Sequence, residues 1–122
     1  MKLRLTERSV RLRVRRSEVE LFSKTGCVSE TLVFPGGAAL TYRLTAAPVI
    51  ETSVAFGGGV VEILVPAAQA AGWAASQQVG IYGQHRDVEI CVEKDFRRTS
   101  LPSPDDGDRY PNPRASGAAG GD

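Results

Sequence analysis

Apolar and polar residues alternate from Lys2 to Thr6 and again from Ser9 to Arg15, with Leu3, Leu5, Val10, Leu12 and Val14 on one face and cationic or polar side chains on the other. A period of two sends successive side chains to opposite faces of a strand, so both stretches predict half-buried strands, joined in a hairpin at Glu7 and Arg8. At Ser17 the period changes. Ser17 with Glu20 three residues later has the form of a capping box, which predicts a short helix carrying Val19 and Phe22 on one side and ending at Gly26 in the left-handed conformation. Alternation returns at Val28, Leu32 and Phe34, breaks at Pro35-Gly36-Gly37 and resumes at Leu40, Tyr42 and Leu44, which predicts a second hairpin.

The same pattern then repeats. Leu3 and Val54, Leu5 and Phe56, Val10 and Val61, Leu12 and Ile63, Val14 and Val65, Phe22 and Trp73, and Val28 and Val79 are each 51 positions apart (73 − 22, for example). In the second copy Ile50, Val54 and Phe56 precede a Gly57-Gly58-Gly59 turn, and Val61, Ile63 and Val65 follow it. Pro66 suits the first position of a helix over Ala67 to Ala75 anchored by Trp73. Val79 and Ile81 then pair with Val88, Ile90 and Val92 through a turn near Gly83 to Asp87.

Each unit therefore reads strand, strand, helix, strand, strand. The predicted fold class is mainly β (α+β): two tandem ββαββ units, about 2–46 and about 49–95, closing as a pseudo-twofold antiparallel barrel or sandwich with two short helices at its ends. The expected core is Leu5, Val10, Leu12, Val14, Phe22, Leu40, Tyr42, Phe56, Val61, Ile63, Val65, Trp73, Val79, Ile81, Ile90 and Val92. One domain over 1–96 accommodates this. Residues 97–122, rich in Pro, Gly and Asp, cannot bury enough surface to offset their ordering entropy and are expected to form a largely disordered tail.

The formal net charge of +1 hides a polarity. Lys2, Arg4, Arg8, Arg11, Arg13, Arg15 and Arg16 crowd the first residues, whereas Glu89, Glu93, Asp95, Asp105, Asp106 and Asp108 come late. The two cysteines, Cys27 and Cys91, form no metal-ligand spacing, and no apolar run approaches the length of a membrane span or a secretory leader, so a cytoplasmic protein without a membrane association is expected.

The pieces Met1-Lys2-Leu3-Arg4, Ser9-Val10-Arg11-Leu12-Arg13, Ser17-Glu18-Val19, Glu93-Lys94-Asp95-Phe96 and Tyr110-Pro111-Asn112-Pro113 resemble a family of small bacterial proteins of unknown function. Relatives of that kind often carry a Cys and further acidic residues after the Asp-Phe pair, where this chain has Arg97, Arg98 and Thr99. The resemblance implies no activity. The order Val61 to Val65, Pro66, Ala67 to Ala75, Val79 to Ile81 is also similar to the AbrB-like swapped-hairpin transition-state regulators, which implies a DNA-binding role. Here Gln77-Gln78 replaces the acidic Gly-Asp turn of that class, and Arg15 stands in copy one where copy two has Pro66.

Arg4, Arg11, Arg13, Arg15 and Arg16 are the candidate nucleic-acid-binding set. Arginines at alternate strand positions project from one face and can meet consecutive phosphates, or they form a solvated face that discourages edge pairing. Tyr110, Pro111, Asn112 and Pro113 are the candidate partner-binding set, an extended aromatic segment that either recognises a protein partner or folds back over the domain's own open edge. Asp95, Asp105, Asp106 and Asp108 offer oxygens to a divalent cation but lack a calcium-loop spacing. His85, in a predicted turn, has no nucleophile or orienting group placed beside it by the sequence, and the Gly57-Gly58-Gly59 run lacks the features of a phosphate loop. The expectation is a non-catalytic binding or adaptor domain with no cofactor and no resident metal. Its alternatives are a DNA-binding regulator and a divalent-metal-binding protein.

Overall fold

A computed structural model describes residues 1–96 and 110–111. Strands β1 (Lys2–Leu5) and β2 (Ser9–Val14) form a hairpin, α1 (Arg16–Thr25) follows, and β3 (Cys27–Val33) and β4 (Ala39–Ala47) form the next hairpin. Strands β5 (Ser53–Gly57) and β6 (Val60–Pro66), helix α2 (Ala67–Ala75) and strands β7 (Gly80–His85) and β8 (Val88–Lys94) then repeat that order. Each half thus runs strand, strand, helix, strand, strand, as the periodicity predicts. Among these residues no helix is long and apolar enough to cross a membrane.

The hairpins are exchanged between the halves. The first sheet has the order β1-β2-β8-β7 and the second β3-β4-β6-β5. Every hairpin is antiparallel, but the central pairs β2–β8 and β4–β6 are parallel, where antiparallel pairing throughout was expected. Tight turns impose the antiparallel sense inside a hairpin. The central strands are joined by no turn, and the long connections between them leave room for the parallel arrangement. The register repeats as well: Lys2 faces Arg13 across β1–β2, and Ser53 faces Leu64 across β5–β6.

Helix α1 starts earlier than the Ser17–Glu20 spacing suggests. Arg15 is the cap, and its backbone N–H donates to Glu18 Oε1 at 2.8 Å, so the acidic residue three positions into the helix is Glu18. Gly26 ends the helix at φ 80°, which a side chain would strain. Helix α2 occupies the expected span, with Pro66 as the residue before it rather than its first. The helices pack on each other instead of closing opposite ends. The rings of Phe22 and Trp73 meet edge to face with centroids 6.0 Å apart, and Trp73 Nε1 donates to the Val79 carbonyl at 3.0 Å.

The core lies between the sheets and beneath the helices, where Leu12, Val14, Phe22, Ile63, Val65, Trp73, Ile81, Ile90 and Val92 are buried. Met1, Val19, Val28, Leu44 and Ala70 join them. Three expected core residues are exposed. Leu5 is 58% exposed and Phe56 71%. They hold matching positions toward the hairpin-tip ends of β1 and β5, the edge strands of the two sheets. Val79 precedes β7 and presents its carbonyl, not its side chain, to Trp73. Leu40 and Tyr42 are half-buried, and Ile50 is exposed ahead of β5.

Candidate functional site

Alternation along β1 and β2 puts Leu3, Val10, Leu12 and Val14 inward and Lys2, Arg4, Arg11 and Arg13 outward. The hairpin register sets Lys2 directly opposite Arg13 and Arg4 directly opposite Arg11. These four cations line a shallow depression of about 240 Å³ on the outer face of the first sheet. Like charges directly opposite one another destabilise a strand pair. Two of the four are relieved from the adjacent strand and its end: Arg11 Nε lies 3.0 Å from Glu93 Oε1, and Lys2 Nζ lies 3.3 Å from Asp95 Oδ2. Arg4 and Arg13 have no acidic partner among the described residues.

Glu93 is shared. Its second oxygen accepts from the Tyr82 hydroxyl at 2.8 Å. Burial, reinforced by that carboxylate, pushes the Tyr82 hydroxyl up to about 12. Cys91, next to Arg11 in register, has its thiol pushed up by burial and then by Glu93, which keeps it protonated at neutral pH. Both cysteines are unpaired.

Five arginines were expected together, and the structure divides them. Arg4, Arg11 and Arg13 share the outer face. Arg15 follows the last residue of β2, and its guanidinium turns back to Glu18 at 3.4 Å. Arg16 opens α1 and lines a larger cleft of about 790 Å³ between the two helices and the end of β8, with Val14 and Val19 in its floor and Glu20, Lys94 and Phe96 around it. Lys2 is the member that sequence reasoning left out of the set. The signal was present, since Lys2 alternates with Arg4 and the Glu7–Arg8 turn brings it opposite Arg13.

A second polar cluster had no forecast. The Met1 ammonium is buried between Glu18, at 2.6 Å, and Glu30, while the Tyr42 hydroxyl donates to the Met1 carbonyl at 3.2 Å. This cluster ties β1 to α1 and β3. Thr52, which precedes β5 as Met1 precedes β1, is also buried but makes an uncharged contact: it packs on Gly83 of β7, where an added Cβ would come within 2.9 Å of the Thr52 Cβ. Beside it His85, the last residue of β7 rather than a turn residue, holds the β5 edge through Nδ1, 3.2 Å from the Val54 N–H and 3.0 Å from its carbonyl oxygen.

Asp95 is engaged by Lys2, and Asp105, Asp106 and Asp108 lie outside the described residues. Among the described residues no three His, Cys, Asp or Glu side chains gather as a metal site. Tyr110 and Pro111 are exposed, Tyr110 at 96%, and Asn112 and Pro113 fall outside the described residues.

The model of a family of unknown function (DUF7009) matches residues 1–114. No curated protein and no solved structure matches the chain.

Proposed function

The chain belongs to this family of unknown function, and we propose that it is a non-catalytic binding domain that takes an anionic partner on the outer face of its first sheet. One observation carries the reading: two like-charged pairs stand opposed in register around a single depression, with two of the four cations lacking a carboxylate among the described residues. An arrangement that costs stability where the fold does not require it is the mark of a functional surface. The raised Cys91 and Tyr82 pKa values support the non-catalytic part, because neither group is poised to ionise near neutrality. The two unpaired thiols support a reducing, cytoplasmic compartment. The exposure of Tyr110 and Pro111 supports recognition of a partner over coverage of the domain's own edge.

A DNA-binding regulator would use the same face, and the exchanged hairpins fit the swapped-hairpin likeness. Glu89 and Glu93 on β8 flank that face, however, and would meet the backbone of a duplex laid across the sheet. Retention on immobilised heparin across a salt gradient tests the proposal. Retention that falls with salt and is lost in the R4A/R13L variant is the expected result. Equal retention of the two proteins, or none at low ionic strength, refutes it. Tighter, salt-dependent binding of a labelled duplex than of heparin would move the assignment to the regulator.

A further inference from the structure

We infer that the anion best matched by Lys2, Arg4, Arg11 and Arg13 is a compact chain of two or three phosphates. This rests on the anionic-partner reading above and narrows it. The cation array is oblong. Residues two apart on one strand are about 6.8 Å apart, whereas facing residues on neighbouring strands are about 4.5–5.5 Å apart. An elongated anion lying along β1 and β2 meets both facing pairs at once, and the two arginines without carboxylate partners, Arg4 and Arg13, stand at diagonal corners. Guanidinium forks suit tetrahedral oxyanions because they can donate two parallel hydrogen bonds.

The surroundings limit the length of the ligand. At the Lys2–Arg13 end stand two carboxylates: Glu93, beside Arg13 in the β2–β8 register and paired with Arg11, and Asp95, paired with Lys2. Toward the hairpin tip the next outward pair is Thr6 and Ser9, whose hydroxyls bond each other and can donate to a terminal phosphate oxygen. A longer chain would pass the quartet and meet hydroxyls at one end and carboxylates at the other.

The second half of the molecule supplies a control. At the matching positions of β5 and β6, in the same register, stand Ser53, Ala55, Glu62 and Leu64. A hairpin of this geometry forms without a single cation on that face, so the quartet is not a requirement of the fold.

Isothermal titration with inorganic triphosphate in metal-free, low-salt buffer tests the inference, with sulfate at matched ionic strength as the reference anion. Triphosphate should bind more tightly than sulfate. R4A/R13L, which installs the residues that β5 and β6 carry, should fold with an unchanged circular dichroism spectrum and lose at least about tenfold in affinity. Arg43→Ala, on the outer face of the other sheet, should bind as the parent does. Glu93→Gln, which removes the charge competing for Arg11, should bind more tightly than the parent. The same titration with ATP separates the sources of the phosphate chain: equal affinity assigns recognition to the phosphates alone, and markedly tighter ATP binding overturns that. Triphosphate binding no stronger than sulfate, or unchanged in R4A/R13L, overturns the inference. If heparin retention persists in that case the broader anionic reading stands, and if it is also absent both readings fall.

Discussion

The rings of Phe22 and Trp73, one from each half of the chain and 51 positions apart, meet edge to face with centroids 6.0 Å apart and planes inclined at 71°. Each ring is the buried anchor of its own helix, so the contact joins the two halves where neither could close a core alone. Trp73→Ala should cost about 3–5 kcal/mol, with Phe22→Ala in the same range. The double variant should fall short of the sum by about 0.5–1.5 kcal/mol, the coupling of an aromatic pair. Urea unfolding of the four proteins checks this, and strict additivity would show that the rings do not interact.

Strand positions were legible because alternation is local. Leu12, Val14, Ile63, Val65, Ile90 and Val92 follow from period two and all are buried. Leu5 and Phe56 obey the same alternation and are exposed near the tips of edge strands, because what covers a strand face is set by parts of the chain distant in sequence. The exchange of hairpins was not legible for the same reason: no turn connects β2 to β8 or β4 to β6, and those parallel pairings are set by the whole core. Within the candidate site, Arg4, Arg11 and Arg13 could be grouped from spacing. Arg15 left the group because the strand stops at Val14 and the helix cap takes over at the next residue.

The opposed cations also predict an unusual stability response. Arg4→Ala removes one half of a like-charged pair and no ion pair among the described residues, so the melting temperature should hold or rise, by the equivalent of about 0.2–1 kcal/mol at low salt. Added salt should close the gap, since the repulsion it relieves is screened. Arg11→Ala removes the partner of Glu93 and should be the more harmful change. Thermal melts at low and high ionic strength decide the matter, and a larger loss from Arg4→Ala than from Arg11→Ala would contradict it.

The Glu18 carboxyl is pulled in both directions. Burial pushes its pKa up, but bonds from the Met1 ammonium, the Arg15 backbone N–H and the Arg15 side chain outweigh burial and hold it at about 2, against an ordinary 4.5. A folded-state value below the unfolded one stabilises the protein in full above the unfolded pKa, and that contribution is lost as pH falls from about 4.5 toward about 2. Glu18→Gln should therefore be less stable than the parent at pH 6, and the difference should shrink on acidification. Chemical denaturation at pH 6, 4 and 3 measures it. A difference that stays constant over that range would remove Glu18 from the acid response.

The seam between β5 and β7 depends on two close approaches. His85 Nδ1 reaches the Val54 backbone, and Gly83 leaves no room for a side chain because the Thr52 Cβ lies 2.9 Å from where its own Cβ would stand. His85→Ala should cost about 1 kcal/mol and speed hydrogen exchange at the Val54 amide, leaving the buried amides of β8 protected. Gly83→Ala should cost about 1–3 kcal/mol through overpacking. Removing the opposing atoms in a Gly83→Ala, Thr52→Gly double variant should recover part of that loss, even though Thr52→Gly alone is destabilising. Uniformly faster exchange across both sheets in His85→Ala would mean that the imidazole supports the whole domain rather than this edge.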